Sequence, residues 1–349
     1  MSNSRQSYKA QKKQKKQKGR RRIFLWVMVP FLLIISGAAV YGSFLYNKAH
    51  SVMDNSYEPI VRETPKREKE VNPHIDNISV LIVGIDDSTK RQFTSGSRTD
   101  ALMLATFNES QKSVKLLSIP RDSYVYIPNK DRKDKINHAY GKGGIASTID
   151  TVEELLDIPV DYYMNVNFNA FIDIVEAVGG IEVEVPYSFS EQDSHDKKNA
   201  IRLEKGLQQL NGEEALALAR TRKLDSDIER GKRQQEILKA ILNKAISIKS
   251  VAKYSDIIEA VGENMKTDLS FKDMKSFIDY ATAGTNLSIE SLTLGGQDSY
   301  IKGIYYYELD DASLEEIKQT LKTHLEVSGT NDRSVVTGYD KEEEGTETP

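Results

Sequence analysis

The stretch ARTRKLDSDIERGKRQQE, residues 219–236, packs Arg220, Arg222, Lys223, Arg230, Lys232 and Arg233 into fourteen positions. Within that span stand only Asp225, Asp227 and Glu229 as acids. Arg230, Arg233 and Gln234 are spaced i, i+3, i+4, which places them on one face near the start of a helix. A helix N-terminus already attracts anions through its free N–H groups and its dipole. Guanidinium forks match phosphate oxygens, so a phosphate or diphosphate is the ligand that fits best. Arg220 and Arg222 are two apart at the exit of a preceding helix and splay to different sides unless the chain there is extended. The competing reading is a solvated charged turn in which the three acids neutralise the bases.

A second set of polar residues falls where apolar runs stop. The first run ends in Gly84-Ile85-Asp86-Asp87, the second opens with Arg98-Thr99-Asp100, and the third leads into Ser118-Ile119-Pro120-Arg121-Asp122. In an α/β sheet, ligands sit outside the strand ends. Taken singly, Asp86 or Asp100 reads as a turn cap and Arg121-Asp122 as an internal ion pair. Taken together with the 219–236 cluster, they describe one polar pocket suited to a phosphate or diphosphate. Were a hydroxyl to attack a phosphate bound there, Asp100, beside Arg98 at a strand start, would be the candidate base.

The elements that must carry these residues follow from periodicity. ISVLIVG (78–84), ALMLATF (101–107) and VKLLSI (114–119) are short apolar runs of the kind that form buried strands. YYMNVNF (162–168) and IEVEV (181–185) alternate, as half-covered or edge strands do. Helices are expected over 144–157, over 169–178 before Gly179-Gly180, and from Asn211, where Glu214 completes a capping-box pattern. A long amphipathic helix is expected over 230–249, with further helices near 251–262, 271–283 and 311–325 around a last strand near 288–294. Strands alternating with helices place the chain in the α/β class, with one sheet covered on both faces.

Charge and hydropathy set the surroundings. Of 48 Lys and Arg residues, ten lie in positions 1–22, which hold no acid, leaving 38 basic against 52 acidic residues in the remainder. An acidic body repels generic polyanions, so nucleic acid is not an expected partner. Residues 23–46 carry no charge and are mostly apolar, enough to cross a bilayer as one transmembrane helix. The basic block before it puts the N-terminus in the cytoplasm and the body outside, a single-pass type II membrane protein. A cleaved signal peptide is the alternative, given the small residues Ser36 to Ala39. Residues 47–76 read as a linker, 77–327 as one folded domain, and 328–349 as a disordered acidic tail. The absence of cysteine excludes disulfides and thiolate chemistry.

RTD, LLSIPRDSYVYIP, KINHAYGKGG, IPVDYYMNVNFNAFIDIVEAVGGIEVEV and LNGEEALALARTRKLDSDIERGKRQQEIL, in this order and after one membrane span, resemble the LytR-CpsA-Psr family, and within it the teichoic acid transferases of Gram-positive bacteria. The resemblance covers about residues 76–250. It implies a three-layer domain with a central mixed sheet. It also implies an enzyme that takes a glycopolymer, most fittingly wall teichoic acid, from an undecaprenyl diphosphate carrier in the cytoplasmic membrane and joins it to peptidoglycan through a phosphodiester. By the same resemblance Asp86 and Asp100 hold Mg2+ (or Mn2+), and Arg98, Arg121, Arg220, Arg222, Arg230 and Gln234, with Arg233, bind the diphosphate. Asp87 is a competing metal ligand. Transfer of capsular or other wall polysaccharide, hydrolysis of the lipid diphosphate and a non-enzymatic regulatory role are the alternatives. A cytoplasmic tail of about 22 residues is too short for a helix-turn-helix domain.

Other motifs carry less. YGKGGIAST lacks the order of a nucleotide-binding loop, and there is no G-x-S-x-G nucleophile elbow. Phe168, Phe171, Ile172 and Val175, or Ile237, Leu238 and Ile241, have the character of a prenyl-chain cavity, but ordinary core explains them better.

Overall fold

β1 (Ile78–Ile85) is apolar at almost every position because both of its faces are covered. The computed structural model describes residues 36, 40–44, 46–48, 50–52, 54–60, 62, 66–67, 71–73, 75–85, 99–223, 226–247, 262, 264–270, 272–274 and 287–327. After β1 come β2 (Thr99–Asn108), β3 (Ser113–Ser118), β4 (Tyr124–Ile127), β5 (Arg132–Lys135), α1 (Tyr140–Leu156), β6 (Tyr162–Asn167) and α2 (Phe168–Ala177). Then follow β7 (Ile181–Val185), β8 (Phe189–Glu191), β9 (Ile201–Leu203), β10 (Gly206–Leu210), α3 (Gly212–Arg220) and α4 (Asp227–Ser247). The described elements end with β11 (Met265–Thr267), β12 (Ser288–Thr293), β13 (Gly296–Ile301), β14 (Ile304–Leu309) and α5 (Asp311–Leu325).

The chain divides into two units, one comprising Ile60–Tyr163, Leu224–Gln235 and Ser276–Pro349, the other Met1–Pro59, Met164–Lys223 and Glu236–Lys275. The first holds a mixed sheet. β1 and β2 run antiparallel with Leu81 opposite Leu104, β2 and β3 antiparallel with Leu104 opposite Leu117, and β3 and β12 parallel with Leu117 opposite Leu292. Leu81, Leu104 and Leu117 on one face pack with Ile149, Val152 and Leu156 of α1 and Ile317, Leu321 and Leu325 of α5. Val80, Ala105 and Leu116, which alternate to the other face, are buried as well. A mixed α/β architecture is therefore what the apolar runs specify.

The second unit is built on caps and a hairpin. Asn167 caps α2 by accepting the Ala170 N–H at 2.9 Å. Gly180, at φ 76°, is where a Cβ would meet the Leu210 carbonyl at 2.8 Å, so only glycine lets β7 pair with β10 there. The expected capping box is present: Asn211 and Glu214 each accept the other's backbone N–H at 2.9 Å. β7 alternates buried and exposed, and its inner residues join Val175, Leu218 and Ile237 in the core. Val175 and Ile237 are thus core residues, and Phe171 and Ile241 pack against them.

Several boundaries differ from expectation. α1 starts at Tyr140, but Gly144 at φ 60°, ψ −152° interrupts it, so the regular helix begins near the expected position. α4 starts at Asp227, three residues early, because Ser226 accepts the Glu229 N–H at 3.3 Å and caps it. The hairpins β4–β5, β8–β9 and β13–β14 were not anticipated. Most of residues 23–46, the expected helices near 251–262 and 271–283, and the acidic tail lie wholly or largely outside the described residues. Among the described residues no helix is long and apolar enough to cross a membrane.

Candidate active site

The first unit gathers charge where β3 ends. Beyond Ser118 the chain makes a tight turn in which the Ser123 N–H and hydroxyl both donate to the Pro120 carbonyl, at 3.0 and 2.7 Å. Arg121 stands at the apex. Its backbone carbonyl is held by the Asn137 N–H at 3.2 Å, and the Asp122 carbonyl by the Tyr307 N–H at 2.9 Å. The start of α4 is brought to the same place by two local features. A Cβ on Gly231 would lie 2.5 Å from the Ser118 hydroxyl, so glycine permits the approach of helix to strand. Gln235, fully buried, donates to the carbonyls of Leu116 and Leu292 at 2.8 and 2.7 Å, bolting the helix across β3 and β12.

The result is one guanidinium among three carboxylates. Arg121 donates through Nη1 to Asp100 Oδ1 at 2.5 Å, while its Nε lies 3.5 Å from Asp122 and 3.7 Å from Asp227. Those two distances are beyond hydrogen bonding. Asp227 also pairs with Arg230 Nη1 at 3.1 Å, and Lys135 Nζ reaches Asp122 Oδ1 at 2.8 Å. Burial pushes the Asp122 carboxyl up, but the Lys135 hydrogen bond and the adjacent Arg121 charge outweigh it and hold the group below its ordinary range. Burial, the hydrogen bond to Asp298 and the charges of Asp298, Asp227 and Asp122 raise the Tyr305 phenol.

The expected site residues are thus distributed as follows. Asp100, Arg121 and Arg230 meet in this cluster, and Arg233, 7% exposed, lies one turn further along α4. Buried arginines do not fit a solvated turn. Gln234 is half-buried on the same helix. Arg220 and Arg222 belong to the second unit: Arg220 ends α3 with its guanidinium 4.5 Å from the Phe168 ring centroid, and Arg222 is exposed after Thr221, whose φ −59°, ψ 140° is extended. Extended backbone there is the condition under which the two side chains need not splay. Asp86, Asp87 and Arg98 lie outside the described residues; Ile85 and Thr99, which adjoin Asp86 and Arg98, are register partners across β1 and β2. Among the described residues no three acidic or histidine side chains form a ready cage for a metal.

Asp227 and Lys135 were not singled out from sequence as site residues. Asp227 had a signal, since an acid three residues before Arg230 on a helix pairs with it. Lys135 arrives through a hairpin pairing, Tyr124 opposite Lys135, that carries no local signal.

Comparison with known proteins shows the family of the chain. The profile of the LytR_cpsA_psr family matches residues 43–323. The chain belongs to that family. The polyisoprenyl-teichoic acid–peptidoglycan teichoic acid transferase TagT of Bacillus subtilis is 41% identical over 319 residues, 89% of this chain and 98% of that protein. TagU of the same organism is 38% identical over 313 residues, 88% and 98% of the two chains. Among solved structures, TagT bound to LIIa-WTA superposes with TM-score 0.66 at 42% identity, covering 78% of this chain and all of that one. TagT with bound octaprenyl pyrophosphate lipid gives 0.62 at 39%, with the same coverage. The LytR-CpsA-Psr assignment agrees with the mixed sheet.

Proposed function

We propose that the chain is a glycopolymer-phosphate transferase that moves an anionic wall polymer, wall teichoic acid above all, from an undecaprenyl diphosphate carrier to a sugar hydroxyl of peptidoglycan. The observation that carries the reading is Arg121, held by one close carboxylate and two loose ones, beside the buried Arg230. A guanidinium so placed exchanges carboxylate oxygens for phosphate oxygens without creating a new buried charge. The names of the relatives, teichoic acid transferases, support the same substrate class.

In this mechanism the peptidoglycan hydroxyl attacks the phosphorus nearer the polymer. The new P–O bond forms as the bond to the bridging oxygen breaks, and undecaprenyl phosphate leaves with that electron pair. The hydroxyl proton passes to a carboxylate, for which Asp100 at the start of β2 is the candidate. Arg121, Arg230 and Arg233 neutralise the non-bridging oxygens and Gln234 hydrogen-bonds to them, and the family resemblance assigns Arg98, Arg220 and Arg222 to the same diphosphate. Asp86 and Asp100 are the proposed holders of Mg2+ (or Mn2+), a role that competes with base work for the one carboxylate of Asp100. Asp100 fits in having a side chain 37% exposed and carboxylate oxygens of the kind a hard cation prefers, although Oδ1 is already on Arg121. When bound, the cation supplies further charge neutralisation at the diphosphate. Residues 23–46 are proposed to anchor the protein with its body outside the membrane.

The test is to incubate the purified full-length chain with defined lipid-linked polymers, with and without peptidoglycan, and to analyse the products. A phosphodiester-linked polymer on peptidoglycan is expected, sensitive to chelator and to Asp100→Ala. Release of polymer to water at one rate regardless of peptidoglycan would establish a diphosphatase instead.

A further inference from the structure

β13 and β14 join through Lys302 and Gly303, at φ 50° and 79°, a two-residue turn that gives the hairpin a strong twist. Strand alternation sends Asp298, Tyr300, Tyr305 and Tyr307 to one face. Tyr300 is 73% exposed, and its ring meets Tyr305 edge-on at 5.6 Å. The Tyr305 hydroxyl donates to Asp298 Oδ1 at 2.9 Å, which fixes the ring. From the opposite side the hairpin is anchored by Tyr306 against Tyr124 at 4.7 Å. It is also continuous with the charged cluster: the Lys135 ammonium that hydrogen-bonds Asp122 lies 5.5 Å from the Tyr305 ring centroid.

We propose that Tyr300, Tyr305 and Asp298 form a docking platform for uncharged sugar rings of the acceptor glycan strand, beside the Arg121 cluster. A rigid pair of aromatic rings offers a flat apolar surface to the C–H face of a sugar, while a neighbouring carboxylate and phenol exchange hydrogen bonds with its hydroxyls and amides. Single exposed aromatics are ordinary, but here the exposed ring is braced by a second one that is itself hydrogen-bonded. Charge selects between the two polymers at hand. The exposed charges beside the rings are Asp298 and, at the turn, Lys302, which offset one another, and Lys135 is committed to Asp122. The face therefore has no net charge to draw a polyphosphate chain and suits a neutral sugar; Glu308, opposite Gln297, lies on the other face. The identity of that glycan as acceptor rests on the transferase reading above; the platform itself does not.

Cosedimentation of the full-length chain with sacculi stripped of teichoic acid tests the platform without any chemistry. Tyr300→Ala is expected to weaken binding about tenfold, the worth of one well-made aromatic contact. Tyr300→Trp should restore it, and Leu207→Ala, an exposed apolar position in the second unit, should bind as wild type. Oligomers of N-acetylglucosamine should compete, and polyglycerol phosphate should not. In transfer assays Tyr300→Ala should raise the acceptor KM by the same factor with little change in kcat. Equal sacculus binding by Tyr300→Ala and wild type, or competition by polyglycerol phosphate alone, would overturn the proposal. Loss of binding in Tyr300→Ala when the wild type performs no transfer would sink the transferase reading and leave the platform standing.

Discussion

Two polar clusters in the sheet-bearing unit are built to opposite ends. Around Arg121 the pairing is incomplete, with one carboxylate at 2.5 Å, two at 3.5 and 3.7 Å, and Asp100 more than a third exposed. Around His324, 2% exposed, both ring nitrogens are engaged, Nδ1 with Thr106 Oγ1 at 2.8 Å and Nε2 with Ser113 Oγ at 2.9 Å. Asn108 adds a bond to the His324 carbonyl at 2.8 Å. The second cluster stitches the last turn of α5 to β2 and β3 and is neutral. A closed, satisfied network holds elements in place, whereas a charged network with loose contacts keeps partners it can exchange. Under the proposed function, the first is the group that works on a ligand and the second the group that works on the fold.

The sharpest way to break that contrast is Arg121→Lys. Lysine keeps the charge but loses the planar fork. If Arg121 is a diphosphate clamp, transfer should fall about 100- to 1,000-fold, roughly 3–4 kcal/mol of transition-state stabilisation, while the melting temperature moves little. Near-normal transfer by a well-folded variant would mean that the cluster is an ion-pair network and nothing more.

His324→Ala should do the reverse. It leaves a cavity at a fully packed site and strips partners from two hydroxyls, so a loss of about 2–4 kcal/mol of folding stability is expected with kcat retained. Denaturant titration and a transfer assay on the same preparation read the two effects separately. A large fall in kcat at unchanged stability would contradict the division drawn here.

How far the two clusters could be read in the sequence differs for a physical reason. Arg121, Asp100 and the 219–236 arginines lie where apolar runs end, and the end of a strand is a local signal. The capping box at Asn211 and the alternation of IEVEV are local too. His324 gave no signal, since its partners Thr106 and Ser113 are 218 and 211 residues away along the chain. The same holds for Lys135 and the tyrosine hairpin, placed by pairings such as the Ser123 bridge to Tyr307. Gln235 was overlooked for a subtler reason. Its neighbour Gln234 fitted the arginine face, and only packing shows that Gln235 is the residue that bolts α4 to the sheet.

The contrast also has a pH signature. Burial, with the Lys115 charge, lowers the His324 pKa from 6.5 to about 4, against the smaller opposing influence of Glu290 and Glu326. Above pH 6.5 the ring is neutral in both folded and unfolded chains and nothing is lost. As pH falls below 6.5 the unfolded chain takes up a proton that the folded one refuses, so stability declines until the folded state protonates near pH 4. Between pH 7 and 5 the decline should be roughly 2 kcal/mol from this group. Asp122 does not contribute in that window, because its lowered pKa confines its effect to more acid conditions. The difference in pH slope between wild type and His324→Gln isolates the histidine, and equal slopes would remove it as the cause.

The smallest expected effect is the finest test of where working charge stops. Lys223 shares the run with Arg220 and Arg222, but it is exposed and donates to the backbone carbonyl of Ser190. An exposed cation on a carbonyl gains little from the contact, since water offers nearly the same bond. Lys223→Ala should therefore leave both transfer and stability within about 0.5 kcal/mol of wild type. Arg222→Lys, one residue away and preserving charge, should cost transfer roughly thirtyfold, about 2 kcal/mol. If the run acts only through its summed field, the order must invert, because removing a charge at 223 would then matter more than exchanging one at 222. Measuring both variants in one assay, at two salt concentrations, decides between a field that salt screens and a contact that it does not.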